Sequence, residues 1–135
     1  MMEQASDNIV DIRYEQTGAA TATNELGMRE MQAKAYEARD KRFLLIKAPP
    51  ASGKSRALMF IALDKLVNQG LKKVVVAVPE KSIGRSFKKT NLKEHGFFAD
   101  WHVTPYYDLC DVKNDKDKKG RFVEFFQQDA SKVLV

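Results

Sequence analysis

Residues 43–55 read Phe43-Leu44-Leu45-Ile46-Lys47-Ala48-Pro49-Pro50-Ala51-Ser52-Gly53-Lys54-Ser55. The first five residues favour a strand, and the residues after Ser55 carry apolar side chains at helical spacing. A strand, a loop ending in Gly-Lys-Ser and a helix together form the context in which the motif G-x-x-x-x-G-K-[ST] binds phosphate. Ala48 stands where that motif has its first glycine. The stretch therefore predicts a phosphate-binding loop between a strand and a helix.

The loop residues have separate expected roles. Gly53 lets the backbone approach a phosphate without an intervening Cβ. Lys54 is expected to reach the β- and γ-phosphate oxygens and is the candidate catalytic residue, and the Ser55 hydroxyl is the candidate Mg²⁺ ligand. The alternative is an ordinary turn whose helix happens to begin with Gly-Lys-Ser. The nucleotide-contacting residues predicted from the loop are Pro50, Ala51, Ser52, Gly53, Lys54, Ser55 and Arg56.

Length and composition restrict the class of protein. A chain of 135 residues forms at most one small domain, and its 44% hydrophobic and 30% charged residues are typical of a globular protein. No apolar stretch approaches the roughly 20 residues that span a bilayer, so no membrane partner is expected. The single cysteine, Cys110, cannot form an internal disulfide and is read as a plain packed side chain. These features favour a reducing, cytoplasmic location.

The positive charge is unevenly distributed along the chain. Residues 1–25 hold five carboxylates and one arginine, which gives them a net charge of −4. Because the whole chain has a net charge of +5, residues 26–135 have a net charge of +9. A basic body suits a protein that binds a phosphate backbone, although a solvated basic surface is the alternative. Residues 1–25 also contain few large apolar groups and are predicted to be a flexible leader, with at most one short strand near residues 8–12.

The rest of the pattern predicts an α/β fold with three layers, a mostly parallel sheet of about four or five strands covered by helices. A further helix is expected over residues 29–40, and a buried strand over 71–78, stopped by Pro79. Trp101, Phe97 and Phe98 are expected to be core residues more often than a base-stacking platform. The remaining expected elements are a short strand within 97–105, a helix over 121–129 with Phe122, Phe125 and Phe126 facing the core, and a strand from Lys132.

The segment Leu26-Gly27-Met28-Arg29-Glu30-Met31-Gln32-Ala33-Lys34-Ala35, followed by a strand and the loop Ala48–Ser55, resembles superfamily 2 helicases and translocases. It is most similar to the type III restriction-enzyme subunit and the DEAD/DEAH branch. This resemblance implies that residues 26–135 belong to a RecA-like P-loop motor lobe that uses ATP and Mg²⁺. It also implies that Gln32 reads the adenine edge through its amide, which offers a donor and an acceptor, with Arg29 in support.

The resemblance places a second motor motif where the strand over 71–78 meets Pro79. In the family this segment lies against the nucleic-acid backbone, which here implies phosphate contacts from Pro79, Lys81, Ser82 and Arg85. Lys88, Lys89 and Lys93 are expected to extend the positive surface. Glu80 replaces the family's small hydroxyl residue, and a solvated helix start is the alternative. The implied partner is nucleic acid, with DNA favoured, although these residues themselves do not distinguish DNA from RNA.

Parts that the family needs for hydrolysis do not appear in the sequence. The Asp-Glu box is expected shortly after the strand that opens at Lys132, and a second lobe should supply an arginine finger. We therefore expect a fragment of the first lobe, truncated before that box, that binds the phosphates of a nucleotide weakly and shows no turnover and no unwinding. The missing second lobe is its expected partner. An uncovered sheet edge also allows a homodimer.

Two other classes of function remain open. A P-loop kinase or transferase should carry a lid and substrate-binding arginines after the loop helix, whereas this chain has a strand ended by proline and a basic helix. A non-catalytic module would hold only an anion or a nucleic acid at the loop. Nucleotide titration with and without Mg²⁺, in the presence of polynucleotide or small phosphate acceptors, distinguishes these classes.

Overall fold

A computed structural model describes residues 9–13 and 23–135 of the chain. The elements in these ranges are the strands β1 (Ile9–Arg13), β2 (Phe43–Lys47), β3 (Val74–Val75) and β4 (Val133–Leu134), and the helices α1 (Glu30–Glu37), α2 (Lys54–Val67), α3 (Lys81–Gly84) and α4 (Asp115–Gln127). Four 3₁₀ turns lie at Arg85–Phe87, Lys93–His95, Pro105–Tyr107 and Leu109–Asp111. None of the described helices is long and apolar enough to cross a bilayer.

The strands form two parallel pairs within the described part of the chain. β1 pairs with β2 from Ile9 opposite Phe43 to Arg13 opposite Lys47, and β3 pairs with β4. The strand expected near residues 8–12 is therefore present. Apart from residues 9–13 and 23–25, the predicted flexible leader lies outside the described residues. The expected continuous sheet of four or five strands is observed as two separate pairs.

The strand β3 is shorter than the sequence predicts. It covers two residues instead of the expected stretch over 71–78. The N–H groups of Val74 and Val76 donate to the carbonyl oxygens of Lys132 and Leu134, each at 2.8 Å. Because a strand needs a neighbour to satisfy its backbone, β3 extends only as far as β4 accompanies it.

The helix α2 forms the centre of the packing. Its residues Met59, Phe60 and Leu63 belong to the largest apolar cluster, together with Trp101 and Phe97, whose predicted core positions are confirmed. The core position predicted for Phe98 is wrong, since this side chain is 40% exposed beside the buried Phe97 ring. On its other side, Ala57 and Ile61 contact Met31 and Ala35 of α1 and the inward residues Leu44 and Ile46 of β2. The loop between β2 and α2 is thus held between two packed elements.

A buried carboxylate fixes α1 against the C-terminal part of α2. Asp64 accepts hydrogen bonds from the Tyr36 hydroxyl at 3.0 Å and from the amides of Asn68 and Gln69, each at 2.8 Å, and pairs with Arg39 at 3.3 Å. Burial opposes ionisation, but these hydrogen bonds and the arginine charge outweigh it and hold the pKa of Asp64 below its usual value. The ionised form therefore ties the two helices together.

Two expectations for the C-terminal third are wrong. No strand forms within residues 97–105, where Trp101 makes one isolated antiparallel bridge with Thr90. The helix α4 begins at Asp115 because the Asn114 side chain caps it by accepting from the N–H of Lys116 at 2.8 Å. Of its three phenylalanines only Phe125 is buried, because it packs against Tyr107 and Leu134, whereas Phe122 and Phe126 are exposed.

Candidate functional site

A cavity of about 460 Å³ lies at the N-terminus of α2. It brings together all the residues that the sequence predicted to contact nucleotide, although they come from two separate segments. The loop contributes seven consecutive residues, and the start of α1 contributes two. The lining residues are Arg29, Gln32, Pro50, Ala51, Ser52, Gly53, Lys54, Ser55, Arg56, Met59, Ser86 and Thr90.

The start of α2 presents unpaired backbone donors to this cavity. Its first intrahelical hydrogen bond runs from the N–H of Ala57 to the carbonyl of Gly53 at 3.1 Å. The N–H groups of Lys54, Ser55 and Arg56 therefore have no partner within the helix. Together with the positive end of the helix dipole, such donors suit an anion.

Gly53 occupies a position that favours glycine. Its φ is +92°, in the left-handed region, and a Cβ built on it would lie 2.5 Å from Nε2 of Gln32. Any side chain would therefore strain the backbone and collide with the amide that packs against it. The glycine allows the loop to approach α1 closely at the N-terminus of α2.

The Lys54 side chain folds back over the loop. Its ammonium group donates to the carbonyl oxygens of Ala48 and of Pro49, the latter at 3.2 Å. Arg29 and Arg56 add two further cations to the lining of the cavity. Among the residues that the structure describes, no Asp or Glu lines it. The cavity is therefore electrostatically suited to an anion.

A hydroxyl with no partner supports the same chemistry. Ser52 is 5% exposed, and its Oγ has no hydrogen-bond partner in the described chain. A buried hydroxyl without a partner is unfavourable unless a ligand satisfies it, and a phosphate oxygen would accept its proton. The residues thus fit a polyphosphate group.

The structure offers few ligands for a metal ion. The Ser55 hydroxyl lines the cavity, but no group of three or more His, Cys, Asp or Glu side chains within the described ranges could hold a metal. Mg²⁺ commonly keeps several waters and binds through substrate phosphates, so a single hydroxyl is compatible with an ion carried by a nucleotide.

Gln32 is tied to the protein at both ends of its amide. Its Oε1 accepts from the backbone N–H of Arg29 at 2.8 Å, and its Nε2 donates to the carbonyl of Gly53 at 3.0 Å. The side chain is 3% exposed. The residue thus links the start of α1 to the phosphate loop, and its amide keeps one further N–H for a ligand. Adenine recognition by Gln32 stays a prediction.

Ala51 adopts a backbone conformation that L-residues disfavour. Its φ is +61°, the single positive value for a non-glycine residue in the described part of the chain. Holding such a residue costs about 1–3 kcal/mol. We expect Ala51→Gly to leave the free energy of unfolding unchanged or to raise it by about 1 kcal/mol, since the relieved strain offsets the greater freedom of the unfolded chain.

Ala48→Gly is the matched control for this prediction, because Ala48 lies in the same loop without a positive φ. It should lower the free energy of unfolding by about 0.5–1 kcal/mol, the ordinary cost of an added glycine. Urea denaturation of both variants measures the difference. Equal losses for the two substitutions would show that Ala51 is unstrained.

The four residues predicted to contact nucleic acid lie outside this cavity. Pro79, Lys81, Ser82 and Arg85 are all exposed, in and around the four-residue helix α3. The Ser82 hydroxyl donates to the carboxylate of Glu80 at 3.4 Å, which places a negative charge at the start of α3. That charge opposes a phosphate at the helix start. Contacts to nucleic acid therefore stay a prediction for these residues.

Two other side chains were assigned from the sequence. Lys88 does not extend a free positive surface, because its ammonium group pairs with Asp111 and with Asp108, the latter at 3.3 Å.

Burial, with a contribution from the carboxylates of Asp108 and Asp111, raises the pKa of the Cys110 thiol. A protonated thiol is a poor nucleophile, which agrees with a packing role for Cys110.

Sequence reasoning missed Met59, Ser86 and Thr90, which also line the cavity. Ser86 follows Arg85 in the segment assigned to nucleic acid, and Thr90 belongs to no motif. The placement of Thr90 depends on Trp101, with which it exchanges two backbone hydrogen bonds of 3.0 Å. A contact that joins residues so far apart in the chain leaves no local pattern.

The chain was compared with known proteins. It is 61% identical over 129 residues to a Bacillus subtilis protein named "Putative ATP-dependent helicase YeeB". The aligned region covers 96% of this chain but 21% of that protein, so the chain spans about a fifth of the relative's length. No protein-family model matches the chain, and no solved structure matches it. Nearly the whole chain is thus similar to one part of a protein named as a helicase.

Proposed function

We propose that the chain is the nucleotide-binding part of an ATP-dependent nucleic-acid helicase or translocase, and that its cavity binds the polyphosphate of ATP. The observation that carries this proposal is the start of α2. Three backbone N–H groups without helical partners, the cations of Arg29, Lys54 and Arg56, and the orphaned Ser52 hydroxyl surround one cavity. The similarity to a protein named as a helicase supports the choice of nucleotide.

The finer roles follow from position in the cavity. Lys54 is proposed to leave the carbonyl oxygens of Ala48 and Pro49 and to reach the β- and γ-phosphates. Ser55 is proposed to be a ligand of the Mg²⁺ that the nucleotide carries. Arg29 and Gln32 contact the Gly53 side of the loop, which is where the base would extend. The parent fold proposed on this basis is the first RecA-like motor lobe of a superfamily 2 protein.

Binding without turnover is the proposed property of this chain. In P-loop proteins a carboxylate holds Mg²⁺ and another polar group orients the attacking water. No carboxylate lines the cavity in the ranges that the structure describes. A second lobe and nucleic acid are the partners proposed to complete the hydrolytic site.

Calorimetric titration of the 135-residue chain with ATP tests this function. In the presence of Mg²⁺ we expect saturable binding, strengthened by polynucleotide and unaffected by small phosphate acceptors such as nucleosides. Phosphate release should stay at the background rate of a sample without protein. Absence of binding at millimolar ATP would overturn the proposal, and strengthening by a small acceptor would favour a kinase or transferase.

A further inference from the structure

The cavity has a second wall, formed by lining residues that lie outside the phosphate loop and α1. Ser86 and Thr90 form its polar part, and Met59 of α2 lies beside them. Both serine and threonine carry hydroxyls, which are common partners of phosphate oxygens. This wall consequently adds two neutral hydroxyls to a cavity that also holds the cations of Arg29, Lys54 and Arg56.

Trp101 holds this wall in place. Its indole N–H donates to the carbonyl of Phe87 at 2.7 Å, and its backbone exchanges two hydrogen bonds of 3.0 Å with Thr90. Trp101 is 1% exposed and Phe87 is 4% exposed, so both anchors belong to the core. The segment from Ser86 to Thr90 is therefore fixed at two points, and a ligand would find its hydroxyls already positioned.

The two hydroxyls differ in their availability. Thr90 Oγ1 donates its proton to the carbonyl of Lys88 at 2.9 Å, so it can offer a ligand only an acceptor. Ser86 is exposed and makes no hydrogen bond through its side chain to the described residues. An anion needs a donor, and Ser86 is the side chain of this wall that can supply one.

The position of Ser86 indicates which phosphate it would meet. Ser55 and Met59 are four residues apart on α2 and so lie on one face of the helix. Met59 packs in the same cluster as Phe87, the residue after Ser86. The wall therefore continues the Ser55 face of α2, where the proposed function puts the terminal phosphate and its metal ion.

From these observations we infer that Ser86 donates a hydrogen bond to the terminal phosphate of the bound nucleotide and makes the cavity prefer ATP over ADP. This inference rests on the proposed function, since it requires that the loop holds the polyphosphate. A diphosphate lacks the group that Ser86 contacts. Its affinity should consequently be independent of this side chain.

The test is to measure ATP and ADP binding, each with Mg²⁺, for the wild-type chain, Ser86→Ala and Ser86→Thr. Loss of a hydrogen bond to a charged group should weaken ATP binding by roughly five- to tenfold in Ser86→Ala. ADP binding should change by less than about twofold, within the scatter expected for a substitution that removes no contact. Ser86→Thr keeps the hydroxyl and should bind both nucleotides like the wild type.

The outcomes separate this inference from the proposed function. If Ser86→Ala loses ATP and ADP affinity equally, or loses neither, the role of Ser86 is overturned. The proposed function still stands in that case, provided that the wild-type chain binds ATP. Failure of the wild-type chain to bind either nucleotide would overturn both. Thermal unfolding of each variant, expected to match the wild type because Ser86 is exposed, identifies a change caused by altered folding.

Discussion

Lys54→Ala is expected to weaken the binding of Mg²⁺-ATP by about ten- to a hundredfold. The substitution removes an ammonium group that hydrogen-bonds to loop carbonyls at the mouth of α2 and is proposed to move onto the phosphates. A hydrogen bond between charged groups is worth about 1.5–3 kcal/mol, and tenfold in affinity corresponds to about 1.4 kcal/mol. Isothermal calorimetry measures the loss directly.

Lys65→Ala is the matched control for this loss. Lys65 lies in the last turn of the same helix, far from the cavity, so its removal changes the net charge equally. We expect its affinity for Mg²⁺-ATP to remain within about twofold of the wild type, since distant surface charges are largely screened. Wild-type affinity in Lys54→Ala, or equal losses in both variants, would contradict a specific role for Lys54.

Trp101→Ala is expected to lower the free energy of unfolding by about 3–5 kcal/mol, the usual cost of truncating a buried large aromatic residue. The indole is 1% exposed, packs near Phe87 at 6.3 Å between ring centroids, and donates to a buried carbonyl. The substitution leaves a void in the main cluster and removes that carbonyl's partner. Since small domains are stable by about 5–15 kcal/mol, such a loss is a large fraction of the total.

Phe98→Ala provides the comparison. Phe98 is a neighbouring aromatic side chain but is 40% exposed, so its truncation should cost about 1 kcal/mol or less. Urea denaturation of both variants measures the difference. A loss in Trp101→Ala no larger than that in Phe98→Ala would show that the indole does not hold the core and the second wall of the cavity.

The sequence predicted the parts of the fold that depend on local patterns. The strand β2, the glycine-containing loop and the helix α2 lie where the motif places them, and α1 covers residues 30–37 of the expected 29–40. Helical periodicity and glycine conformation act between residues close in the chain. Arg29 and Gln32 were assigned to the nucleotide through the family resemblance, and they reach the loop because the helix that they begin packs on α2.

Features that depend on distant contacts could not be predicted in this way. β3 is short because its length is set by β4, which lies almost sixty residues later. Phe122 and Phe126 are exposed because the packing of α4 selects Phe125. Ser86 reaches the cavity because Trp101 holds its segment there. In each case a residue far along the chain determines the length of the strand or the position of the side chain. The sequence next to the affected residue does not indicate it.

The central claim is that the start of α2 encloses the polyphosphate of a nucleotide. Backbone amide shifts of the isotope-labelled 135-residue chain, followed by NMR during titration with Mg²⁺-ATP, test it most directly. We predict saturable shifts that are largest at the amides of Ser52, Gly53, Lys54 and Ser55 and that are greatly weakened in Lys54→Ala. Shifts centred on other residues, or no saturable shift at millimolar nucleotide, would contradict the claim.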